Sequence, residues 1–208
     1  MIAFLFLCSL LASSTLSQLT QSQKVAILDI HNQLRNKIAS GSVSAAFPAA
    51  SNMVELIWDD NLEKLAQNYA NKKVFSHNPN RKVPQLPGYI GENLYTSSSW
   101  GSQKQTFNAK SAVQSWYDEI KDFKYKTLTF GNFRGKAVGH FTQVIWAETQ
   151  RIGCGLKTYP GNNGWTTNLF VCDYHEGGNM IGSEIYESGT PCEKCTCSSK
   201  WENLCEAA

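Results

Sequence analysis

The sequence predicts an α+β fold. Apolar residues recur at helical spacing in three stretches of the first 123 residues, and two strand-like stretches over 151–174 flank a turn. A third observation is the crowding of cysteines after residue 150, which predicts a cross-linked C-terminal part. The 208 residues are 42 % hydrophobic and 12 % aromatic. That suits one domain with a sizeable core and excludes a disordered chain. The formal net charge is +2, with Lys and Arg scattered along the chain. Neither a nucleic-acid groove nor an anionic membrane is indicated.

Residues 21–38 read as an amphipathic helix, with Val25, Leu28, Leu34 and Ile38 at helical spacing and Gly41 just beyond. Asp60 opens a second helix, and Glu63 stands three residues on in a capping-box arrangement. Its apolar stripe is Leu62, Leu65, Ala66 and Tyr69. Pro79, Pro84, Pro87 and Gly88 make residues 78–90 a loop, and 93–96 suit a short strand. Residues 109–123 form a third helix with Ala112, Val113, Trp116 and Ile120 on one face. Residues 132–136 read as a turn, and 139–146 are ambiguous by periodicity. Two strands, 151–159 and 166–174, flank PGNNG and predict a hairpin. With the turn centred near Asn163, Cys154 and Cys172 are equidistant from it and face each other within disulfide range.

Residues 2–11 form an apolar block too short to span a bilayer and suited to a secretory signal, with cleavage before Gln18. No other stretch is long enough for a membrane span. Cys8 lies in this signal, so Cys154, Cys172, Cys192, Cys195, Cys197 and Cys205 remain. An even number in an exported chain reads as disulfides. The tail, TPCEKCTCSSKWENLCEAA, carries little besides cysteine, so cross-links must hold it. CEKC also has redox or zinc spacing, but no strand-to-helix context surrounds it.

His140 stands directly ahead of the apolar Phe141, Val144, Ile145 and Trp146. It reads as a buried structural histidine, a metal ligand or a catalytic base. His31 reads as a satisfied structural residue, with Arg35 one turn on disfavouring its protonation. His175 follows a strand and belongs to a loop, while Gly177, Gly178 and Gly182 serve tight turns.

GHFTQVIWAET (139–149) and FVCDYHEGGNMIG (170–182), preceded by HNQLR (31–35) and GENL (91–94), resemble the four motifs of the CAP superfamily. That group comprises cysteine-rich secretory proteins, antigen 5 venom allergens and plant pathogenesis-related 1 proteins, and this chain is most similar to its single-domain, venom-allergen-like secreted type. The resemblance implies a three-layer α-β-α sandwich with a small antiparallel sheet over residues 18–186, after a signal at 1–17. It makes 140–146 a helix leading into the hairpin, and likens 187–208 to the hinge of cysteine-rich secretory proteins. Without the ion-channel-regulating module that follows that hinge in some relatives, channel block is not expected. The resemblance further implies a cavity lined by His77, Glu92, Glu119 and His140, and a structural motif of His31, Asn32, Arg35 and Asn93. Four tail cysteines allow three pairings; the resemblance implies Cys192–Cys197 and Cys195–Cys205. Val74 stands where many secreted relatives carry a cysteine, so their two further bridges are not expected.

Imidazole nitrogens with carboxylate oxygens suit zinc or another divalent cation. They serve equally as a hydrogen-bonded set without metal, and the residues leave both arrangements open. Catalysis would need a nucleophile, yet neither G-x-S-x-G nor H-E-x-x-H occurs. The expected function is therefore that of a secreted, extracellular, non-enzymatic protein binding a sterol or fatty acid, or a receptor or host protein. The alternative is a metal-dependent hydrolase or protease using the His/Glu cleft. The aromatic stretch 123–133 could line an apolar groove, although core packing is the preferred reading.

Overall fold

The computed structural model describes residues 18–100, 107–123, 129–131 and 137–208. The expected signal (1–17), the expected turn at 132–136 and residues 124–128 of the aromatic stretch lie outside the described residues.

Helix α1 spans Gln21–Ala39. The Thr20 hydroxyl accepts from the Gln23 amide while Gln23 Oε1 accepts from the Thr20 amide, so two end donors are satisfied reciprocally. Its buried face is Ile27, His31, Leu34, Arg35 and Ile38, whereas Val25 is 49 % exposed. The predicted stripe through Val25 is thus corrected. Apolar spacing misses a face on which a histidine and an arginine are buried with internal partners.

Strand β1 is Ile57–Trp58, and α2 spans Asp60–Ala70. Asp59, not Asp60, caps α2: its Oδ1 accepts from the amides of Asn61 and Leu62. Glu63 makes no capping box because its carboxylate takes Lys24 Nζ and the Trp58 indole N–H instead. Strand β2 runs Gly91–Trp100, longer than expected, because all ten residues pair with a later strand. Helix α3 covers Ala109–Tyr117 and tightens into a 3₁₀ turn over Asp118–Asp122, so the single helix expected to residue 123 is divided. Helix α4, Gly139–Val144, resolves the ambiguous segment.

Strands β3 (Arg151–Pro160) and β4 (Trp165–His175) form the hairpin, with Arg151 opposite His175 and Pro160 opposite Thr166. Its register pairs Cys154 with Cys172, whose sulfurs are 2.10 Å apart. The sheet order is β1-β3-β4-β2, with β1 parallel to β3 and the other pairs antiparallel.

Alternation along the strands divides the core. Ile152, Cys154, Phe170, Cys172 and Tyr174 pack on the layer of α1, α3 and α4, with Phe141 and Trp146. Leu94, Leu169 and Val171 pack on the α2 layer, with Ala66 and Tyr69. The chain is therefore a three-layer α-β-α sandwich. Helix α2 rests directly on β3, since a Cβ at Gly155 would lie 2.4 Å from Gln67 Cα.

The tail is held by more than cross-links, correcting the sequence expectation. Cys192 bonds to Cys197 and Cys195 to Cys205. In addition Leu204 is fully buried in the main core, and the Cys205 amide and carbonyl bond Met53 and Glu55. Gly182 has φ 87°, as a turn glycine. Gly178 is different: a Cβ there would meet the Trp146 ring at 2.7 Å, so close approach rather than turn geometry requires it.

Candidate functional site

The two shorter motifs hold the frame on which the site is built. Asn32 Nδ2 donates to the Leu56 carbonyl, and its Oδ1 accepts from the Leu56 amide, at 2.9 and 2.7 Å. Arg35 is fully buried, with no carboxylate partner among the described residues. Its guanidinium donates instead to the carbonyls of Val54, Val144, Trp146, Ala147 and Thr149, at 2.5–3.2 Å. One arginine thereby ties the segment after α4 to the start of the sheet, and with it the position of His140.

His31 Nδ1 is 2.8 Å from the Ile27 carbonyl. A carbonyl only accepts, so Nδ1 carries the proton and Nε2, 3.0 Å from the Tyr174 hydroxyl, accepts. Burial, with a smaller contribution from Arg35, lowers its pKa to about 4 against the opposing Ile27 bond. His31 is thus a neutral core residue. His175 closes β4, is nearly buried, and donates from Nε2 to the Pro87 carbonyl at 2.8 Å.

The expected tetrad falls into two His–Glu pairs. In the first, His77 lies in the loop after α2 and Glu92 near the start of β2. His77 Nδ1 is 2.7 Å from Glu92 Oε1, which also accepts the Asn78 amide. The Glu92 side chain is fully buried, while that of His77 is 62 % exposed. In the second pair, Glu119 reaches from the 3₁₀ turn to the start of α4. Its Oε1 is 2.7 Å from His140 Nδ1, and its Oε2 accepts the amides of His140 and Phe141. Val138 supplies no side-chain cap to α4, so the Glu119 carboxylate satisfies these end donors and meets the positive end of the helix. Asn93 joins the pairs: it follows Glu92, and its Nδ2 donates to the His140 carbonyl at 3.1 Å. His140 also stacks on Trp116, with ring centroids 6.1 Å apart.

Four side chains that sequence reasoning missed shape the surroundings. Arg81 donates to the carbonyls of Asn78 and Ile90 and lies 3.6 Å from Glu92. Gln143 accepts the Gly178 amide, and Asn179 accepts from the Thr142 hydroxyl. With His77, Glu92 and Tyr89, these three line a cleft of about 130 Å³. Asp173 is the fourth. It stands opposite Glu92 across β2 and β4, and both of its oxygens are buried without a hydrogen-bond partner among the described residues. Burial first, then the charge of Glu92, holds its pKa well above the usual carboxylate range, with Arg81 opposing. An acidic residue within FVCDYH, otherwise an apolar strand, was the signal that could have marked it.

Among the described residues, no group of three or more His, Cys, Asp or Glu side chains is placed to hold a metal ion. The donor chemistry nonetheless fits a cation in part. Both imidazoles are held at Nδ1 by a carboxylate, as metal-binding histidines commonly are. Neither Nε2 has a hydrogen-bond partner among the described residues.

Residues 28–174 match the family model described as the cysteine-rich secretory protein family, CAP. The chain belongs to the CAP family. Scoloptoxin SSD552 of Scolopendra dehaani is 38 % identical over 191 residues, covering 90 % of this chain and 85 % of its own. Among solved structures, that of BmVAL-1 superposes with a TM-score of 0.76 at 30 % identity, over 91 % of this chain and 96 % of that one. NaASP2 with Zn2+ gives 0.72 at 31 % identity, over 89 % and 96 %. The CAP chain spans only about half the length of other relatives: 46 %, 47 % and 42 % of three venom proteins from Trittame loki and Tityus serrulatus. No helix among the described residues is long and apolar enough to cross a membrane.

Proposed function

We propose that this CAP protein is secreted and acts by binding: its cleft takes a divalent cation, or a polar side chain of an extracellular receptor or host protein. The carrying observation is the pair of carboxylate-oriented imidazoles, each with Nε2 unengaged among the described residues. A histidine so oriented is set up to accept a ligand without rearranging. A two-histidine site would join His77 of the cleft lining to His140, which that lining does not include, with Glu92 and Glu119 fixing their rings. The bound cation would supply positive charge that attracts a carboxylate of a partner. The relative solved with Zn2+ supports that reading.

Cleft size favours an ion or a side chain over a lipid. About 130 Å³ is small beside the roughly 300–1,000 Å³ of sites that enclose drug-sized molecules, so a sterol or fatty acid finds no support at this cleft. Catalysis by a thiol is disfavoured because all six cysteines among the described residues are in disulfides. Secretion is supported by the apolar leader in the sequence, by these disulfides and by the venom proteins among its relatives.

Thermal unfolding under zinc titration tests the cation reading. A gain that grows with the logarithm of zinc concentration is expected, about 2.7 kcal/mol at a hundred times Kd, and lost in both His77→Ala and His140→Ala. No gain in the wild type, or a gain that survives both substitutions, overturns it. Peptide-library cleavage lost in His140→Ala would restore the hydrolase alternative.

A further inference from the structure

Helix α2 covers only part of the outer face of the sheet. It follows β3, with Gly153 under Glu63 and Gly155 under Gln67, and ends at Ala70, whereas β3 runs on to Pro160. Beyond the helix, Lys73 Nζ lies over the Tyr159 ring at 5.6 Å, which fixes the chain after α2 beside the far end of the sheet. There Trp100 and Trp165 are cross-strand partners. Their rings meet edge to face at 5.8 Å, yet they are 66 % and 43 % exposed. Val74 and Phe75, directly after Lys72 and Lys73, are 48 % and 59 % exposed. Single exposed apolar residues are ordinary, but a cross-strand pair of exposed tryptophans needs a reason.

The charge around them is of one sign. No Asp or Glu occurs from Lys64 to Gly91, from Asn93 to Tyr117 or from Ile152 to Cys172. Those stretches contain the C-terminal part of α2, nearly all of β2 and β3, and the hairpin turn, so Lys72, Lys73 and Lys157 meet no acidic neighbour from these elements. The lysines are scattered in sequence, and only the fold brings them to one end of the sandwich. An anionic partner is thereby selected. Tryptophan and lysine together are the residues that settle at a headgroup layer, the indole in the boundary and the lysine stem reaching to phosphate.

We propose that this end of the sheet docks the protein peripherally on an anionic lipid bilayer. Trp100 and Trp165 enter the headgroup–acyl boundary, and Lys72 and Lys73 meet the phosphates. The tryptophan pair lies at the opposite end of β2 from Glu92, so the surface does not depend on the reading of the His/Glu cleft.

Vesicle co-sedimentation tests this, using the disulfide-bonded chain from Gln18, which contains every described residue and omits the apolar leader. Phosphatidylcholine vesicles containing phosphatidylserine should carry the protein down, phosphatidylcholine alone should not, and added salt should release it. Lys72→Glu with Lys73→Glu should lower the partition coefficient about thirty-fold or more, from roughly fivefold per lysine at an anionic surface. Trp100→Ser with Trp165→Ser should lower it about tenfold through lost apolar burial. All four side chains are exposed, and an unchanged circular-dichroism melt verifies folding; the lysine pair tests the idea alone if the tryptophan pair misfolds. The proposal is overturned by absence of sedimentation with the anionic vesicles, or by sedimentation that neither pair reduces. Retention on immobilised heparin without vesicle binding overturns it in favour of a sulfated polysaccharide.

Discussion

Acidification should destabilise this protein through His31 before it affects the exposed carboxylates. The imidazole is fully buried, donates to Ile27 and accepts from Tyr174, so a second proton would need an acceptor where the tyrosine hydroxyl already donates. Its pKa is lowered from 6.5 to about 4. Between those values the unfolded chain binds a proton that the folded chain does not, so stability falls as pH falls. The contribution is complete above pH 6.5 and lost by about pH 4. At 1.36 kcal/mol per unit the loss is about 3 kcal/mol. Urea midpoints across this window should slope in the wild type. In His31→Gln the histidine part of that slope should vanish, while stability at neutral pH drops by about 1–3 kcal/mol for the disturbed buried bonds. An equal slope in both proteins, or a His31 ring proton signal that titrates near pH 6.5, would refute the reasoning.

Three further outcomes are expected. Arg35→Lys should cost about 3 kcal/mol or more in urea unfolding, because an ammonium cannot serve the five carbonyls the guanidinium reaches. Gly155→Ala should cost about 3 kcal/mol, since a methyl 2.4 Å from the α2 backbone forces helix and sheet apart; an unchanged melting temperature would show that the helix shifts freely. Asp173 has the opposite linkage to His31: above pH 3.8 its folded form keeps a proton that the unfolded chain releases, so stability falls as pH rises through its raised pKa. Asp173→Asn should therefore raise the urea midpoint at neutral pH but not near pH 4, and a midpoint unchanged at both would remove Asp173 as a source of strain.

Elements with strong local signals were legible in the sequence. The hairpin is one, because the turn residues fix its register and the register sets Cys154 against Cys172. Helices α1 and α2 were legible as elements, but the buried face of α1 and the cap of α2 were not. Periodicity counts apolar residues, and the α1 face includes His31 and Arg35, whose burial depends on carbonyls far along the chain. Asp59 and Asp60 are both competent caps, and the backbone alone selects the first. At the site, the motifs named His77, Glu92, Glu119 and His140, but not that they form two pairs or that Glu119 caps α4. Arg81, Gln143, Asn179 and Asp173 carry no local signature, since each takes its role from partners on other elements.

By itself the sequence determined the α+β class, the motifs that carry the family resemblance and the hairpin with its disulfide register. Those depend on local propensity, turn chemistry and motif spacing, which are written along the chain. Tertiary structure decided which carboxylate orients which imidazole, which polar groups are buried, and that lysines and tryptophans far apart in sequence share one end of the sheet. Burial and charge act through space, and a linear spacing does not contain them.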